Sequence, residues 1–277
     1  MSNQVKAVIF DWAGTVVDFG SRAPVRAMAK VFAEEGIPVS EPLIRKYMGY
    51  AKRDHVAAIL SEPEGRSAWN KVKEAPWNEA DVDRLLERLI PAMAQAAADC
   101  AALVPRVRET FDWLTGEGIR IGSTTGYSRS MMDGILPRAA EQGYTPEVII
   151  CAGETAAGRP APLMIWKALE MLKVWPVSTC VKVDDTAVGI EAGVNAGTWT
   201  IGVAGSGNGV GLSLEAFRTL SAQHRIDLMR PVATAFEQAG ADFVLESVAG
   251  VPGAIQRITQ LMSEGKRPGG QRCEHFL

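Results

Sequence analysis

The sequence predicts an α/β fold, namely a doubly wound Rossmann-like parallel-sheet core with an inserted α-helical cap domain. Three observations predict it. Short apolar runs rich in β-branched residues recur along the chain. Helical patterns separate most of these runs, and a long stretch with helical patterns only follows the first run. Short apolar strands that alternate with helices are typical of βαβ units and of a mostly parallel sheet.

The predicted strands begin with VKAVIF at Val5–Phe10. The later strand patterns are Ile119–Ser123, Val148–Cys151, Cys180–Val183, Trp199–Val203 and Phe243–Leu245. The helical patterns between them are Val107–Thr115, Arg129–Gln142, Leu163–Leu172 and Val188–Ala196. Such apolar strands fit a sheet that helices cover on both faces. In sheets of this kind the chemistry lies at the carboxyl ends of the strands.

Residues 21–99 carry a different pattern, with no convincing strand. Their helical stretches are Val25–Glu35, Pro42–Tyr47, Asp54–Leu60 and Asp81–Ala98. The segment Ser40-Glu41-Pro42 is typical of a capped helix start with an early proline. We expect a core formed by residues 1–20 and 100–277, interrupted by a helical cap at 21–99. The alternative is an extra helical layer packed on one face of the sheet.

The composition excludes several classes of protein. The chain has 277 residues, of which 47% are hydrophobic and 22% charged, as in ordinary soluble proteins. Its net charge of −3 argues against a nucleic-acid partner or an anionic membrane surface. No signal-peptide pattern or membrane-spanning apolar run is present in the sequence, so we expect a cytoplasmic protein. The four cysteines are far apart and predict neither a zinc site nor disulfides. The tail Gly265–Leu277 is expected to be flexible.

Four polar segments follow predicted strands or precede predicted helices. Asp11 follows the first strand, where a carboxylate is a nucleophile, a metal ligand or merely a turn residue. Ser123-Thr124-Thr125-Gly126-Tyr127 offers hydroxyl and N–H groups to an anion. Gly158-Arg159-Pro160 supplies a cation, and Asp184-Asp185-Thr186 adds carboxylates at another strand end. A nucleophile, an anion site, a cation and metal-binding acids together indicate phosphoryl transfer.

The sequence resembles the haloacid-dehalogenase superfamily and, within it, the phosphonatase family. The resemblance covers most of the chain. It depends on AVIFDWAGTVVD at 7–18, MGYAKRDHV at 48–56, IGSTTGYSRSMMD at 121–133, GRPAP at 158–162 and VKVDD at 181–185. It implies hydrolysis of the carbon–phosphorus bond of phosphonoacetaldehyde, a small-molecule substrate, to acetaldehyde and phosphate. It also implies a homodimer, and a supply of substrate by an aminotransferase acting on 2-aminoethylphosphonate.

The resemblance implies a role for each residue of the motifs. Asp11 would attack phosphorus to form an aspartyl-phosphate, and Lys52 would hold the substrate as a Schiff base. Mg²⁺ would bind the Asp11 carboxylate, the Ala13 backbone carbonyl and Asp185. Thr125, Gly126 and Arg159 would hold the phosphonate oxygens, while Met48, His55 and Tyr127 would line the aldehyde side.

The residue at position 13 distinguishes between substrates. Most phosphatases of the superfamily carry a second aspartate there, which protonates a leaving alkoxide, and this chain has Ala13. One reading is a damaged phosphatase. The other is that the leaving atom is carbon, for which a Lys52 iminium would accept the electrons. That role requires a lysine with a lowered pKa in a partly dry pocket. Without the resemblance, a solvated surface charge would be the ordinary reading of Lys52.

A helix beginning at Met48 would place Met48, Lys52 and His55 on one face. His55 would then serve as a proton shuttle. Gly49 weakens the assumption of a helix from Met48 onward. The ordinary reading of His55 is a packed histidine, and that of Met48 is a core methionine. The cap must move for Lys52 to meet Asp11, so hinges are expected near Gly20 and Ala101–Pro105.

Two departures from the superfamily pattern leave the site partly open. The acidic motif often reads G-D-x-x-x-D, whereas Asp184 stands here for the glycine and Gly189 for the second acid. Asp184 is therefore a candidate to compensate at the metal site. The adjacent Thr124 and Thr125 both offer a hydroxyl to the phosphonate. The competing functions are a capped phosphatase or phosphomutase acting on a small phosphate ester, and a non-catalytic metabolite-binding protein.

Overall fold

One sheet of parallel strands forms the centre of the structure. The computed structural model describes residues 4–270 and 272–277, and within them the sheet has seven strands. The strands are β1 (Ala7–Phe10), β2 (Arg120–Thr124), β3 (Val148–Ile150), β4 (Cys180–Asp184), β5 (Trp199–Val203), β6 (Phe243–Leu245) and β7 (Glu274–Phe276). Their order is β3-β2-β1-β4-β5-β6-β7, and all neighbours are parallel. The predicted fold class is confirmed.

Apolar clusters cover both faces of this sheet. On β1, Val8 and Phe10 belong to one cluster and Ala7 and Ile9 to another. Successive side chains of a strand point to opposite faces, so β1 is buried from both sides.

The α-helices are α1 (Arg22–Glu34), α2 (Glu41–Lys46), α3 (Lys52–Ser61), α4 (Pro63–Asn70), α5 (Glu79–Asp99), α6 (Val107–Gly116), α7 (Arg129–Met132), α8 (Leu136–Glu141), α9 (Leu163–Met171), α10 (Ala187–Ala196), α11 (Leu214–Thr219), α12 (Ala222–Gln238) and α13 (Val251–Ser263).

The strand order places a crevice beside β1. The chain passes from β1 to β2 and β3 on one side and then returns to β4 on the other. Ligands of open α/β sheets bind where the strand order reverses in this way. Asp11 directly follows β1, and Asp185 directly follows β4. The crevice therefore brings together two acids that are far apart in the sequence.

Helices α1 to α5 lie between β1 and β2, and we call Arg22–Asp99 the helical insert. The Ser40 hydroxyl caps α2 by accepting from the Leu43 N–H, and a capping box at Asn78 begins α5. The insert contacts the carboxyl edge of the sheet through the loop before α3. The division into 1–20, 21–99 and 100–277 stays a prediction, and residues 1–3 and 271 lie outside the described residues.

Two sequence-based expectations about regular structure are wrong. The tail expected to be flexible contains β7, which pairs with β6, and the Phe276 ring stacks on Phe243 with centroids 6.2 Å apart. A strand of three residues is too short to show a hydrophobic period. The helix expected at Arg129–Gln142 is divided into α7 and α8, because Pro137 fits only the first turn of a helix.

Helix α4 and helices α11 to α13 were not predicted from the sequence. In the part of the chain that is described, no helix is both long and apolar enough to cross a membrane.

Candidate active site

A small cavity lies between the helical insert and the carboxyl ends of β1, β2 and β4. Its lining residues are Asp11, Ala13, Ser21, Pro24, Met48, Gly49, Lys52, Thr125, Gly126, Tyr127, Arg159, Asp185 and Thr186. All of the predicted site residues except His55 are among them. The free volume is about 20 Å³, which is room for roughly one water molecule. A ligand of several heavy atoms therefore enters only if the insert and the sheet separate.

Asp11 is held at the end of β1 by the backbone. Its N–H donates to the Val183 carbonyl at 2.9 Å, and its side chain is buried. Burial raises the pKa of Asp11, and the Arg159 guanidinium opposes this rise. The tight turn that follows requires Gly14, whose φ is +83° and whose Cβ would lie 2.2 Å from Asp185 Oδ2. The first motif thus presents a carboxylate to the cavity, and Gly14 leaves room for the Asp185 carboxylate beside the turn.

Arg159 links the loop after β3 to Asp11. Its Nη2 donates to Asp11 Oδ1 at 2.5 Å and to the Thr124 carbonyl at 2.8 Å. Burial lowers the pKa of Arg159, but the Asp184 and Asp11 carboxylates hold it above its usual range. The side chain is 3% exposed and stays charged, so it can orient a carboxylate and a phosphoryl group together.

The structure brings three carboxylates together at the site. Oxygen atoms of Asp11, Asp184 and Asp185 lie within 4.8 Å of one another, and all three side chains are buried. Burial raises the pKa of Asp185 well above its usual value, and the Asp11 and Asp184 carboxylates raise it further. Arg159 and Lys182 pair with Asp11 and Asp184, and a divalent ion with oxygen ligands relieves the repulsion that remains around Asp185. This buried acidic triad is therefore suited to a hard divalent cation.

Ser21, which was not predicted from the sequence, joins two of the predicted metal ligands. Its Oγ lies 2.9 Å from the Ala13 carbonyl oxygen and 3.1 Å from Asp185 Oδ2. Ser21 sits at the N-cap position of α1 without capping it. A serine at a helix start ordinarily indicates a cap, so no sequence signal assigns it to the site.

Asp184 occupies space that Gly189 leaves free. A Cβ at position 189 would lie 2.0 Å from Asp184 Cγ. The Asp184 carboxylate pairs with Lys182 Nζ at 2.9 Å and with Arg159 Nη1 at 3.4 Å. Burial raises the pKa of Asp184, but these two cations lower it overall. The carboxylate of Asp184, at the end of β4, therefore fills the space next to position 189, where the superfamily motif often has its second acid. Lys182, fully buried on that strand, was not predicted.

Lys52 is the first residue of α3 and is buried at the cavity, so the surface reading of this lysine does not hold. Burial lowers its pKa to about 8, although the Asp11 carboxylate opposes the shift. Its Nζ lies 5.3 Å from the centre of the Tyr127 ring. Among the described residues it makes no ion pair. A lysine in this state supplies a neutral amine near physiological pH.

The expected helical face of Met48, Lys52 and His55 is wrong. Gly49 has φ +92°, and α3 begins only at Lys52. Met48 still lines the cavity, because the loop before α3 folds over Thr186. His55 instead packs inside the insert, with Nε2 2.7 Å from the Ile44 carbonyl oxygen. Burial, and then the Lys52 charge, lower the pKa of His55 to about 3, so the ring is neutral.

The loop after β2 separates the two adjacent threonines. Thr125 lines the cavity, and its Oγ1 accepts from the Tyr127 N–H at 3.1 Å. Thr124 turns to Arg159, whose Nη2 lies 3.2 Å from the Thr124 hydroxyl. The Tyr127 hydroxyl is buried and has no hydrogen-bond partner in the described structure. A Cβ at Gly126 would lie 2.8 Å from the Tyr50 carbonyl oxygen, so glycine permits the insert to approach.

The fold and this arrangement of residues agree with one protein family. A family model described as haloacid dehalogenase-like hydrolase matches residues 5–197. The match spans more than half of the chain and includes Asp11, Lys52, Arg159 and Asp185. The chain belongs to the haloacid dehalogenase-like hydrolase family, and it is a hydrolase by that membership.

Two similar curated proteins are named phosphonoacetaldehyde hydrolase. The chain is 44% identical over 266 residues to a phosphonoacetaldehyde hydrolase of Paraburkholderia phytofirmans, covering 95% of this chain and 99% of that protein. It is 42% identical over 265 residues to the phosphonoacetaldehyde hydrolase of Paraburkholderia xenovorans, with the same coverage. A crystal structure of a phosphonoacetaldehyde hydrolase-like protein from Oleispira antarctica has a TM-score of 0.95 and 39% identity, covering 96% of this chain and 97% of that one.

Proposed function

We propose that this chain hydrolyses phosphonoacetaldehyde to acetaldehyde and phosphate. The observation that carries the proposal is the burial of Lys52, with its lowered pKa, in the same cavity as Asp11. Ala13 supports it, because a carbon leaving group needs no acid at that position. Relatives named phosphonoacetaldehyde hydrolase, at 42% and 44% identity over nearly the whole chain, support the same substrate.

The first step uses the Lys52 amine. Nζ adds to the aldehyde carbon, and loss of water gives an iminium in which the substrate is bound covalently. The buried surroundings favour this step because the pKa of Lys52, lowered to about 8, leaves a much larger unprotonated fraction near neutral pH than an ordinary lysine has, although the protonated form still dominates there. Met48 and Tyr127 line the cavity beside Lys52 and would contact the two carbons of the substrate. His55 has no direct contact in this mechanism.

The second step uses the Asp11 carboxylate. Asp11 attacks phosphorus, the carbon–phosphorus bond breaks, and its electron pair moves to the iminium nitrogen to leave an enamine on Lys52. Arg159 would orient both the carboxylate and the phosphonate oxygens, and Thr125 and Gly126 would bind the remaining oxygens. Water then hydrolyses the aspartyl-phosphate. Protonation of the enamine carbon and hydrolysis of the imine release acetaldehyde and free Lys52.

We assign Mg²⁺ to the acidic triad. Asp11, Asp185 and the Ala13 carbonyl would hold the ion, because all three offer oxygen atoms at the cavity. When bound, it would neutralise charge on the phosphonate and the attacking carboxylate. Ser21, which contacts both the Ala13 carbonyl and the Asp185 carboxylate, would hold these two groups in fixed positions relative to each other.

Mg²⁺ is expected to raise the melting temperature of the chelator-treated protein. The ion relieves repulsion among buried carboxylates, and a ligand at 100 times its Kd adds about 2.7 kcal/mol to the free energy of unfolding. Thermal unfolding with and without Mg²⁺ measures the effect. The variant Asp185→Asn should lose most of the shift, while Asp227→Asn on the surface of α12 should keep it. An unchanged melting temperature of the unmodified protein would refute the metal site.

Product analysis tests the activity itself. Purified protein with Mg²⁺ and phosphonoacetaldehyde is expected to release acetaldehyde and phosphate in equal amounts. Acetaldehyde is followed by its reduction with alcohol dehydrogenase and NADH, and phosphate by a colorimetric assay. p-Nitrophenyl phosphate should be a far poorer substrate because Ala13 provides no acid. Rapid ester turnover without acetaldehyde formation would show an ordinary phosphatase instead.

The assembly and setting of the enzyme complete the proposal. We infer a cytoplasmic homodimer that degrades 2-aminoethylphosphonate after an aminotransferase has made the aldehyde, as the resemblance to phosphonatases implies. Light scattering on the purified protein measures the assembly, and a mass near twice 29.8 kDa is expected.

A further inference from the structure

The loop from Ser206 to Gly211, which follows β5, contacts three parts of the site; we call it the β5 loop. Ser206 Oγ donates to the Gly14 carbonyl at 2.7 Å, and the Ser206 carbonyl accepts from the Gly20 N–H at 2.7 Å. The Asn208 N–H donates to Asp185 Oδ2 at 2.7 Å. The loop therefore positions the turn after the nucleophile, the linker into the insert and the metal-site carboxylate together.

One arginine of the helical insert holds the same loop. Arg45, in α2, donates from Nη1 to the Gly20 carbonyl at 3.0 Å and to Asn208 Oδ1 at 3.1 Å. Its Nη2 donates to the Gly211 carbonyl at 3.2 Å. Asn208 Nδ2 donates back to the Arg45 carbonyl at 3.0 Å. The insert and the β5 loop are thus joined by hydrogen bonds in both directions.

This contact depends on the shape of both partners. A Cβ at Gly211 would lie 2.8 Å from Arg45 Cζ, and Gly211 has φ +69°, so glycine is required there. Only a planar guanidinium donates to separate carbonyls in this manner, whereas a lysine supplies one compact charge. The side chain of Arg45 is 15% exposed. The contact is therefore shielded and specific, unlike an ordinary surface ion pair.

We propose that Arg45 is a positioning residue that couples docking of the helical insert to the placement of the Asp185 carboxylate. When the insert separates to admit a ligand, Arg45 leaves the β5 loop and Asn208 loses its side-chain partner. Asp185 then loses the N–H that orients it, so the metal site is complete only when the insert is docked. This inference rests on the proposed function for its kinetic consequence but not for its effect on metal affinity.

The test compares Arg45→Ala and Arg45→Lys with Arg88→Ala. Arg88 also belongs to the insert and bonds two glutamates, Glu34 and Glu35, but does not reach the β5 loop. Calorimetric titration with Mg²⁺ measures Kd in each protein. Both Arg45 variants are expected to bind Mg²⁺ about tenfold more weakly, which is the scale of one lost hydrogen bond to a charged group. Arg88→Ala should stay within about twofold.

Two further measurements make the outcome decisive. The double variant Arg45→Ala/Asn208→Ala should be no weaker in Mg²⁺ binding than the poorer single variant, because both act through one contact. With phosphonoacetaldehyde, kcat should fall more than KM rises. Unchanged Mg²⁺ affinity in folded Arg45→Ala, or full recovery in Arg45→Lys, would overturn the coupling. If the unmodified protein releases no acetaldehyde, the proposed function fails, while the comparison of Mg²⁺ affinities still tests Arg45.

Discussion

Replacing Lys52 with arginine is expected to abolish acetaldehyde release, with a loss on the order of 10⁴-fold or more, the scale of removing a group that forms a covalent intermediate. Arginine keeps the positive charge and most of the volume, but its guanidinium stays protonated and does not condense with an aldehyde. Without the iminium, the electrons of the carbon–phosphorus bond have no acceptor.

Borohydride trapping measures this directly. Unmodified protein treated with phosphonoacetaldehyde and borohydride should carry a reduced two-carbon adduct on the peptide containing Lys52, as seen by mass spectrometry. Lys52→Arg should carry none. Lys46→Arg is a suitable control, since Lys46 lies in the same insert but pairs with Glu62 at the surface. Lys52→Arg should retain the rise in melting temperature that Mg²⁺ causes, which shows that its site is folded. An adduct on another lysine would contradict the assignment.

The same residue predicts a pH dependence. Burial lowers the pKa of Lys52 to about 8, so the protonated and unreactive form dominates below this pH. The rate of adduct formation is therefore expected to rise through about pH 8 and to level off above it. A rate that is already constant below pH 7 would indicate that a different amine reacts. In single-turnover experiments this profile is separable from later hydrolysis steps.

Replacing Gly189 with alanine is expected to lower acetaldehyde release by about 10²-fold, on the scale of losing one preorganised electrostatic contact. A methyl group at this position would lie 2.0 Å from Asp184 Cγ, so the carboxylate must move away from Lys182 and Arg159. The free energy of unfolding should also fall by about 1–3 kcal/mol, since overpacking and a disturbed buried ion pair both destabilise.

An exchange of the two residues tests whether Asp184 replaces an acid at position 189. Gly189→Asp alone should inactivate the protein, because two carboxylates would compete for one space. Combining it with Asp184→Gly should recover part of the activity and of the Mg²⁺-dependent melting-temperature shift. Gly116→Ala is a neutral control, because no atom of the described residues lies within 4 Å of a Cβ at that helix end. If Gly189→Ala were fully active, the packing argument would be refuted.

The sequence by itself predicted most of the sheet and the candidate reactive groups. Apolar runs with β-branched residues mark buried strands wherever they lie, so six of the seven described strands were predicted. Asp11, Arg159 and Asp185 could be assigned because each directly follows a strand or precedes a helix, and parallel strands carry such ends to one edge. Lys52 was found through its motif, since a lone lysine in a helix has no periodic signal.

Only the tertiary structure decided how these groups meet. Gly49 ends the turn before α3, so His55 packs inside the insert while Lys52 reaches the cavity. The contacts of Ser21, Asn208 and Arg45 join segments that are distant in the chain, and no local pattern encodes them. Whether a carboxylate or lysine is buried depends on what packs over it, and that burial sets its pKa. The sequence therefore names the candidate reactive groups, and long-range packing sets their protonation and their partners.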